Sequence, residues 1–102
     1  MTLFTFEQFV ELLCRALACV ELEYVANEIR RVGSRYDLIG DAGLDSLEIL
    51  DLGADFELIL RRQPSFGLNF HLPQEVIEGT VNIGQLYEKL CGMRGIKPVY
   101  ST

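Results

Sequence analysis

Residues 43–60 read GLDSLEILDLGADFELIL, and this stretch decides the fold. A glycine-containing turn leads through Asp45 and Ser46 into a run that is apolar at most positions. Either Asp45 or Ser46 can accept hydrogen bonds from the free backbone N–H groups that open a helix. Pro64 follows shortly afterwards and disfavours helical geometry in the residue before it. The stretch therefore predicts a largely buried helix from Ser46 to Leu60, with its acids in one solvent-exposed strip.

The segment before this helix carries a second helical pattern. Apolar residues recur between Phe6 and Val20 at steps of three and four, which is the stripe of an amphipathic helix. Thr5 and Gln8 have the spacing of a capping box at its start. The pattern predicts a first long helix over this segment.

The chain from 21 to 45 has an irregular pattern, in which residues 25–32 predict only a short helical turn. This is a long loop for a small domain, and buried apolar residues usually hold such loops in place. The candidates for this role are Leu38, Ile39 and Leu44.

Two further helices follow the central one. Pro73 suits the first position of a short helix that runs to Glu78. Asn82 and Gln85 have capping spacing, and an apolar face follows them to Leu90. Beyond Gly92 no periodicity remains, which is typical of a tail.

No alternating strand pattern competes with these helices. The sequence therefore predicts an all-α fold, a bundle of three longer helices and one short helix with a long first loop. The 102-residue length suits a single compact domain, over residues 1–92, followed by a tail over 93–102.

The charge balance limits the classes of partner. Nine basic and fifteen acidic residues give a net charge of −6, which disfavours nucleic acid and favours partners with basic patches. The three cysteines have irregular spacing and predict neither a disulfide framework nor a metal site. No apolar run is long enough to span a bilayer, and no basic leader precedes the first helix. A cytoplasmic protein is expected.

Ser46 is the residue with the clearest chemical interest. A serine between a glycine-containing loop and an acidic helix has an exposed, well-positioned hydroxyl. A hydrolytic serine would also need a base within hydrogen-bond reach, and the only histidine, His71, lies in a later loop. We therefore do not expect an enzyme. From Ser46 alone, an ordinary helix N-cap would be the better interpretation.

The string Gly43-Leu44-Asp45-Ser46-Leu47 resembles the phosphopantetheine attachment site of acyl carrier proteins. The resemblance extends to the acids of the following helix, to Phe66-Gly67, to Leu72-Pro73 and to the Asn82-Ile83-Gly84 start of the last helix. It covers roughly residues 5 to 91. The resemblance implies an acyl-carrier-like four-helix bundle with a 4'-phosphopantetheine arm on Ser46, flanked by Asp45 and Leu47.

The family's function implies the partners. A phosphopantetheinyl transferase would attach the arm from coenzyme A, normally with magnesium. The arm's thiol would then carry acyl groups as thioesters for fatty-acid, polyketide or specialised lipid biosynthesis. Loading ligases, synthases and acyltransferases with basic patches would dock on the central helix of a carrier that is expected to be monomeric. The implied docking residues are Leu47, Glu48, Asp51, Asp55 and Glu57.

The sequence also departs from the family's pattern. The segment from Ser46 to Phe66 is several residues longer than usual, Ala42 replaces a leucine, and Gly53 lies inside the central helix. A glycine there costs on the order of 1 kcal/mol relative to alanine, and it permits close approach of another helix. Two alternatives therefore stay open: an aminoacyl or peptidyl carrier that uses the same arm, and a helical interaction module without the arm.

Overall fold

The computed structural model describes residues 3–100, and this part of the chain is all-helical. The five helices are α1 (Phe6–Cys19), α2 (Glu23–Val32), α3 (Ser46–Arg61), α4 (Gln74–Glu78) and α5 (Ile83–Arg94). Within residues 3–100, the only extended pairing is an isolated parallel bridge between Thr5 and Val99. The predicted all-α class is confirmed.

Helix α1 is the centre of the bundle and packs against α2, α3 and α5. Its predicted capping box is present: Gln8 N donates to Thr5 Oγ1 and Thr5 N donates to Gln8 Oε1, each at 3.1 Å. Phe9, Leu13 and Leu17 of the predicted apolar stripe are fully buried. Helix α1 therefore supplies the surface on which the other helices assemble.

Helix α2 is longer than the short turn that the sequence predicts, and it raises the number of helices from four to five. Val25, Ala26 and Ile29 are buried where α2 packs against α1. The N-cap residue, Leu22, makes no side-chain capping hydrogen bond. The capping signal for α2 is therefore absent, but Val25, Ala26 and Ile29 have the spacing of an amphipathic helix, and this signal was present in the sequence.

Helix α4 begins after Pro73 and ends at Glu78, with Gly79 as its C-cap, close to the predicted bounds. It lies close to α3 at Gly53, where an added Cβ would be only 3.3 Å from Ile77 Cδ1. The glycine therefore permits the close helix approach that the sequence suggested.

Helix α5 begins after Asn82, whose Oδ1 accepts a hydrogen bond from Gln85 N at 2.9 Å. It continues two residues past Gly92 and ends at Arg94, with Gly95 as its left-handed C-cap. The last helix is therefore slightly longer than predicted.

The segment after α5 returns to the start of α1, in contrast to the predicted tail over 93–102. Val99 O accepts a hydrogen bond from Phe6 N at 2.8 Å. The Tyr87 hydroxyl donates to Phe4 O at 2.6 Å and accepts from Val99 N at 2.7 Å. The segment up to residue 100 is attached to the body of the molecule because it satisfies these polar groups, and positions 101 and 102 lie outside the described residues.

Candidate functional site

Asp45, one of the two candidate caps, is the N-cap of α3. Its Oδ1 accepts a hydrogen bond from Glu48 N at 2.8 Å, and Glu48 Oε1 accepts one from Asp45 N at 3.0 Å. Ser46 is consequently the first residue of the helix, and it is exposed. Within residues 3–100 the Ser46 hydroxyl has no hydrogen-bond partner, so it is available to a modifying enzyme.

The loop before α3 is held by two of the three predicted anchors. Leu38 and Leu44 are buried, and Leu44 N donates to Leu38 O at 3.2 Å. Ile39 is 42% exposed and does not share this role. Gly43 has φ +71°, a left-handed conformation that glycine adopts without steric cost. These contacts hold the loop, and with it Ser46, in a fixed position at the start of α3.

A groove with a volume of about 370 Å³ lies between α3 and the segment that leads into α4. Its walls include Ile49, Leu50 and Leu72. Gln74, also in the lining, donates from Nε2 to the Ser46 carbonyl at 3.2 Å and ties α4 to the start of α3. Small-molecule clefts have volumes of about 300–1,000 Å³, so the groove is large enough for part of a ligand. The two walls of the groove are far apart in the sequence, so no local pattern predicts the groove.

The outer face of α3 carries an apolar strip beside the expected strip of acids. Leu47, Leu50 and Leu58 are 71%, 50% and 55% exposed. Together with the exposed Ala54 they follow the spacing of one helix face. The signal was present in the sequence, since these residues face away from Ile49, Leu52, Phe56 and Leu60, which form the buried side of the same helix.

The acids of α3 lie in three different environments. Asp51 is exposed and Asp55 is half-buried along the edge of the apolar face. Glu48 is half-buried and takes part in the capping box. These three predicted docking acids lie within about two and a half helical turns of Ser46.

Glu57, the fourth predicted docking acid, is engaged within the molecule. Its Oε1 accepts from Leu72 N at 2.6 Å and lies 2.8 Å from His71 Nδ1, while its Oε2 is 3.1 Å from Arg61 NH2. The Glu57 side chain is 17% exposed. The Glu57 carboxylate therefore holds the segment before α4 against α3, and this engagement disfavours its predicted role in docking.

The histidine and the cysteines do not join Ser46 in a common site. His71 is bonded to Glu57 at the end of the groove away from Ser46. Cys14 and Cys91 are buried, and burial raises the pKa of both thiols. Cys19 is exposed at the end of α1. In the described ranges no cluster of three or more potential metal ligands is present.

None of the helices formed by residues 3–100 is both long enough and apolar enough to cross a membrane. Comparison with protein-family models, with curated proteins and with solved structures finds no match for this chain.

Proposed function

We propose that the protein is a carrier that holds acyl intermediates as thioesters on a 4'-phosphopantetheine arm attached to Ser46. The observation that carries the proposal is the exposed Ser46 hydroxyl at the first position of α3, directly after the Asp45 cap. The helix begins in the same place with respect to the Asp-Ser-Leu motif as the resemblance to acyl carrier proteins implies. The pathway would be fatty-acid, polyketide or specialised lipid biosynthesis.

The residues around Ser46 fit such an arm. Attachment requires a serine hydroxyl that a transferase can reach and that no internal partner occupies. In the transfer, the serine oxygen would form a bond to the phosphorus of coenzyme A that bears the pantetheine chain, and the bond from that phosphorus to the bridging pyrophosphate oxygen would break. The nucleotide half would leave with the bridging oxygen, and the hydroxyl proton would pass to the transferase. When bound, the arm would supply the thiol that carries the acyl group.

The outer face of α3 supports the docking part of the proposal. Leu47, Leu50 and Leu58 offer apolar contact area beside the attachment site, while Asp51 and Asp55 add negative charge. Exposed charge pairs contribute about 0.2–1 kcal/mol each, so docking through them is weak and sensitive to salt. A shuttle that visits a transferase, a loading ligase and a synthase in turn requires such short-lived complexes.

A helical interaction module without the arm is the second candidate. The same exposed leucine face favours it, because that face can bind a partner whether or not Ser46 is modified. An aminoacyl or peptidyl carrier would use the arm in the same way and differs from the first candidate only in its cargo.

The test is enzymatic loading followed by intact-mass measurement. The purified protein is incubated with coenzyme A, magnesium and a broad-specificity phosphopantetheinyl transferase. We expect a gain of one phosphopantetheinyl group, which disappears in the Ser46→Ala variant.

The matched control is Ser65→Ala, a second serine that is only half-buried, and this variant is expected to gain the arm normally. If the wild-type protein remained unmodified with several transferases, the carrier proposal would be contradicted and the interaction module would become the leading account. Modification of Ser46→Ala would place the attachment site elsewhere.

A further inference from the structure

The docking face of α3 is the exposed or half-buried side of the helix that is formed by Leu47, Leu50, Asp51, Asp55, Leu58 and Arg62. Its charge is negative on the side towards Ser46 and positive at the far end. Asp51, Asp55, Leu58 and Arg62 are separated by steps of four, three and four residues, so they lie along one side of the helix. Arg62 is the C-cap residue and keeps helical backbone angles (φ −83°, ψ −6°), so this spacing extends to it. From Asp51 to Arg62 the helix rises about 16 Å.

The two arginines at this end of α3 are in different environments. Arg61 donates from Nε to Phe70 O at 2.7 Å and pairs with Glu57, so its charge is engaged within the molecule. Arg62 is exposed, and within residues 3–100 its side chain forms no ion pair. Its positive charge is therefore presented to solvent beside Leu58, at the end of the docking face away from Ser46.

We infer that Arg62 is a specificity-determining residue of the docking face. It selects protein partners whose surface is basic opposite Asp51 and Asp55 and acidic opposite Arg62, about 16 Å along the helix axis from Asp51. A partner with a wholly basic docking surface would place like charges against Arg62, and the repulsion would weaken its binding. This inference rests on the proposed carrier function, since it concerns the partners of the same helix.

Charge complementarity also fixes the direction of docking. The apolar face formed by Leu47, Leu50 and Leu58 is non-directional and would tolerate a partner in either orientation. Acids at one end and an unpaired arginine at the other remove this ambiguity, because a reversed partner would meet repulsion at both ends. The result is that the partner's active site faces the Ser46 end of α3.

The test uses the transferase reaction as the binding probe. Steady-state loading of wild type, Arg62→Glu and Arg31→Glu is compared with a broad-specificity transferase whose carrier-docking surface is wholly basic. Arg31 is an exposed arginine on α2, and α2 makes no packing contact with α3, so its variant has the same charge change at a remote place. We expect Arg62→Glu to raise kcat/KM by about two- to fivefold, through a lower KM, with Arg31→Glu close to wild type.

The salt dependence completes the test. The advantage of Arg62→Glu should shrink as the ionic strength rises from 0.05 to about 0.5 M, where exposed charges are screened. Equal kcat/KM values for Arg62→Glu and Arg31→Glu, with normal loading of the wild type, would overturn the inference and leave the carrier function intact. Failure of the wild type to gain the arm would overturn both. An Arg62→Gln variant, expected to lie between wild type and Arg62→Glu, separates charge from any effect on the end of α3.

Discussion

At the scale of single residues, Asp45 and Ser46 divide two tasks between neighbouring positions. Asp45 accepts the hydrogen bond from the free N–H group of Glu48, so the exposed hydroxyl of Ser46 is not needed to cap the helix. A serine that capped the helix itself would have its oxygen engaged by the backbone. The stability of α3 and the chemistry of Ser46 can therefore be altered separately.

The Asp45→Ala variant is expected to lower the free energy of unfolding by about 1 kcal/mol, because it removes the side-chain acceptor of the Glu48 N–H, whereas the bond from the Asp45 backbone N–H to Glu48 can remain. Urea denaturation measures the change. The matched control is Asp51→Ala, which removes the same side chain from an exposed position of α3. Equal losses for the two variants would show that charge, and not the cap, explains the effect.

Glu57 is the residue for which structure and sequence lead to different roles. Glu57→Ala is expected to lose about 1–3 kcal/mol of stability, since the Leu72 N–H is left without its acceptor. Glu75→Ala, which removes an exposed acid from the groove lining, serves as the control and should stay within about 0.5 kcal/mol of wild type. Both values come from chemical denaturation, and a neutral result for Glu57→Ala would return this acid to the set of docking candidates.

At the scale of helices, α1, α3, α4 and α5 carry boundary signals in the sequence, whereas α2 carries only an amphipathic pattern. Caps at Thr5 and Asn82 and the Pro73 and Gly79 boundaries are visible in the sequence, and the structure has helices that begin or end there. Helix α2 begins after Leu22, which makes no side-chain capping hydrogen bond, and the spacing of Val25, Ala26 and Ile29 is the local pattern that marks its contact with α1.

In the candidate site, too, some features follow from the local sequence and others depend on contacts between distant residues. The position of Ser46 at a helix start follows from the local motif. The engagement of Glu57 depends on Leu72, fifteen residues away, and the bond from Gln74 to Ser46 spans 28 residues. Such contacts result from the packing of α4 on α3 and are not visible in the local sequence. For this reason the sequence alone predicted a docking role for Glu57.

The contribution of α2 can be measured directly. Ile29→Ala is expected to cost about 2–5 kcal/mol, because Ile29 is 1% exposed and its removal leaves a cavity between α1 and α2. Val32→Ala shortens an apolar residue of the same helix that is 40% exposed, and it should change stability by about 0.5 kcal/mol or less. Thermal or urea unfolding of both variants decides the point. Similar small losses would mean that α2 contributes little to the core.

At the scale of the whole molecule, the two ends of the described chain are joined through Tyr87. The hydroxyl of Tyr87, on α5, is hydrogen-bonded to Phe4 O before α1 and to Val99 N after α5. This one side chain therefore attaches both end segments to α5. Phe4 and Phe9 pack around its ring. The segment after α5 therefore contributes to the folded unit.

Buried tyrosines predict a loss of stability at alkaline pH. Burial raises the pKa of Tyr87 above its ordinary value near 10, and burial together with a hydrogen bond to Glu28 raises the pKa of Tyr36. A raised folded-state pKa favours the neutral form, so this stability is fully present below pH ~10 and is lost as the pH rises further. Circular dichroism and tyrosinate absorbance followed from pH 8 to 12 should show ionisation of these two residues together with unfolding. Ionisation of Tyr36 and Tyr87 in a still folded protein would contradict this expectation.

The exposed leucines of α3 also have a consequence for the protein in concentrated solution. At neutral pH the net charge of −6 makes the molecules repel one another, and this repulsion opposes aggregation through the apolar face. The isoelectric point lies near 4.6, and there the repulsion vanishes while Leu47, Leu50 and Leu58 stay exposed. Colloidal stability is therefore lowest in mild acid, where the exposed leucines of α3 limit the solubility of the protein.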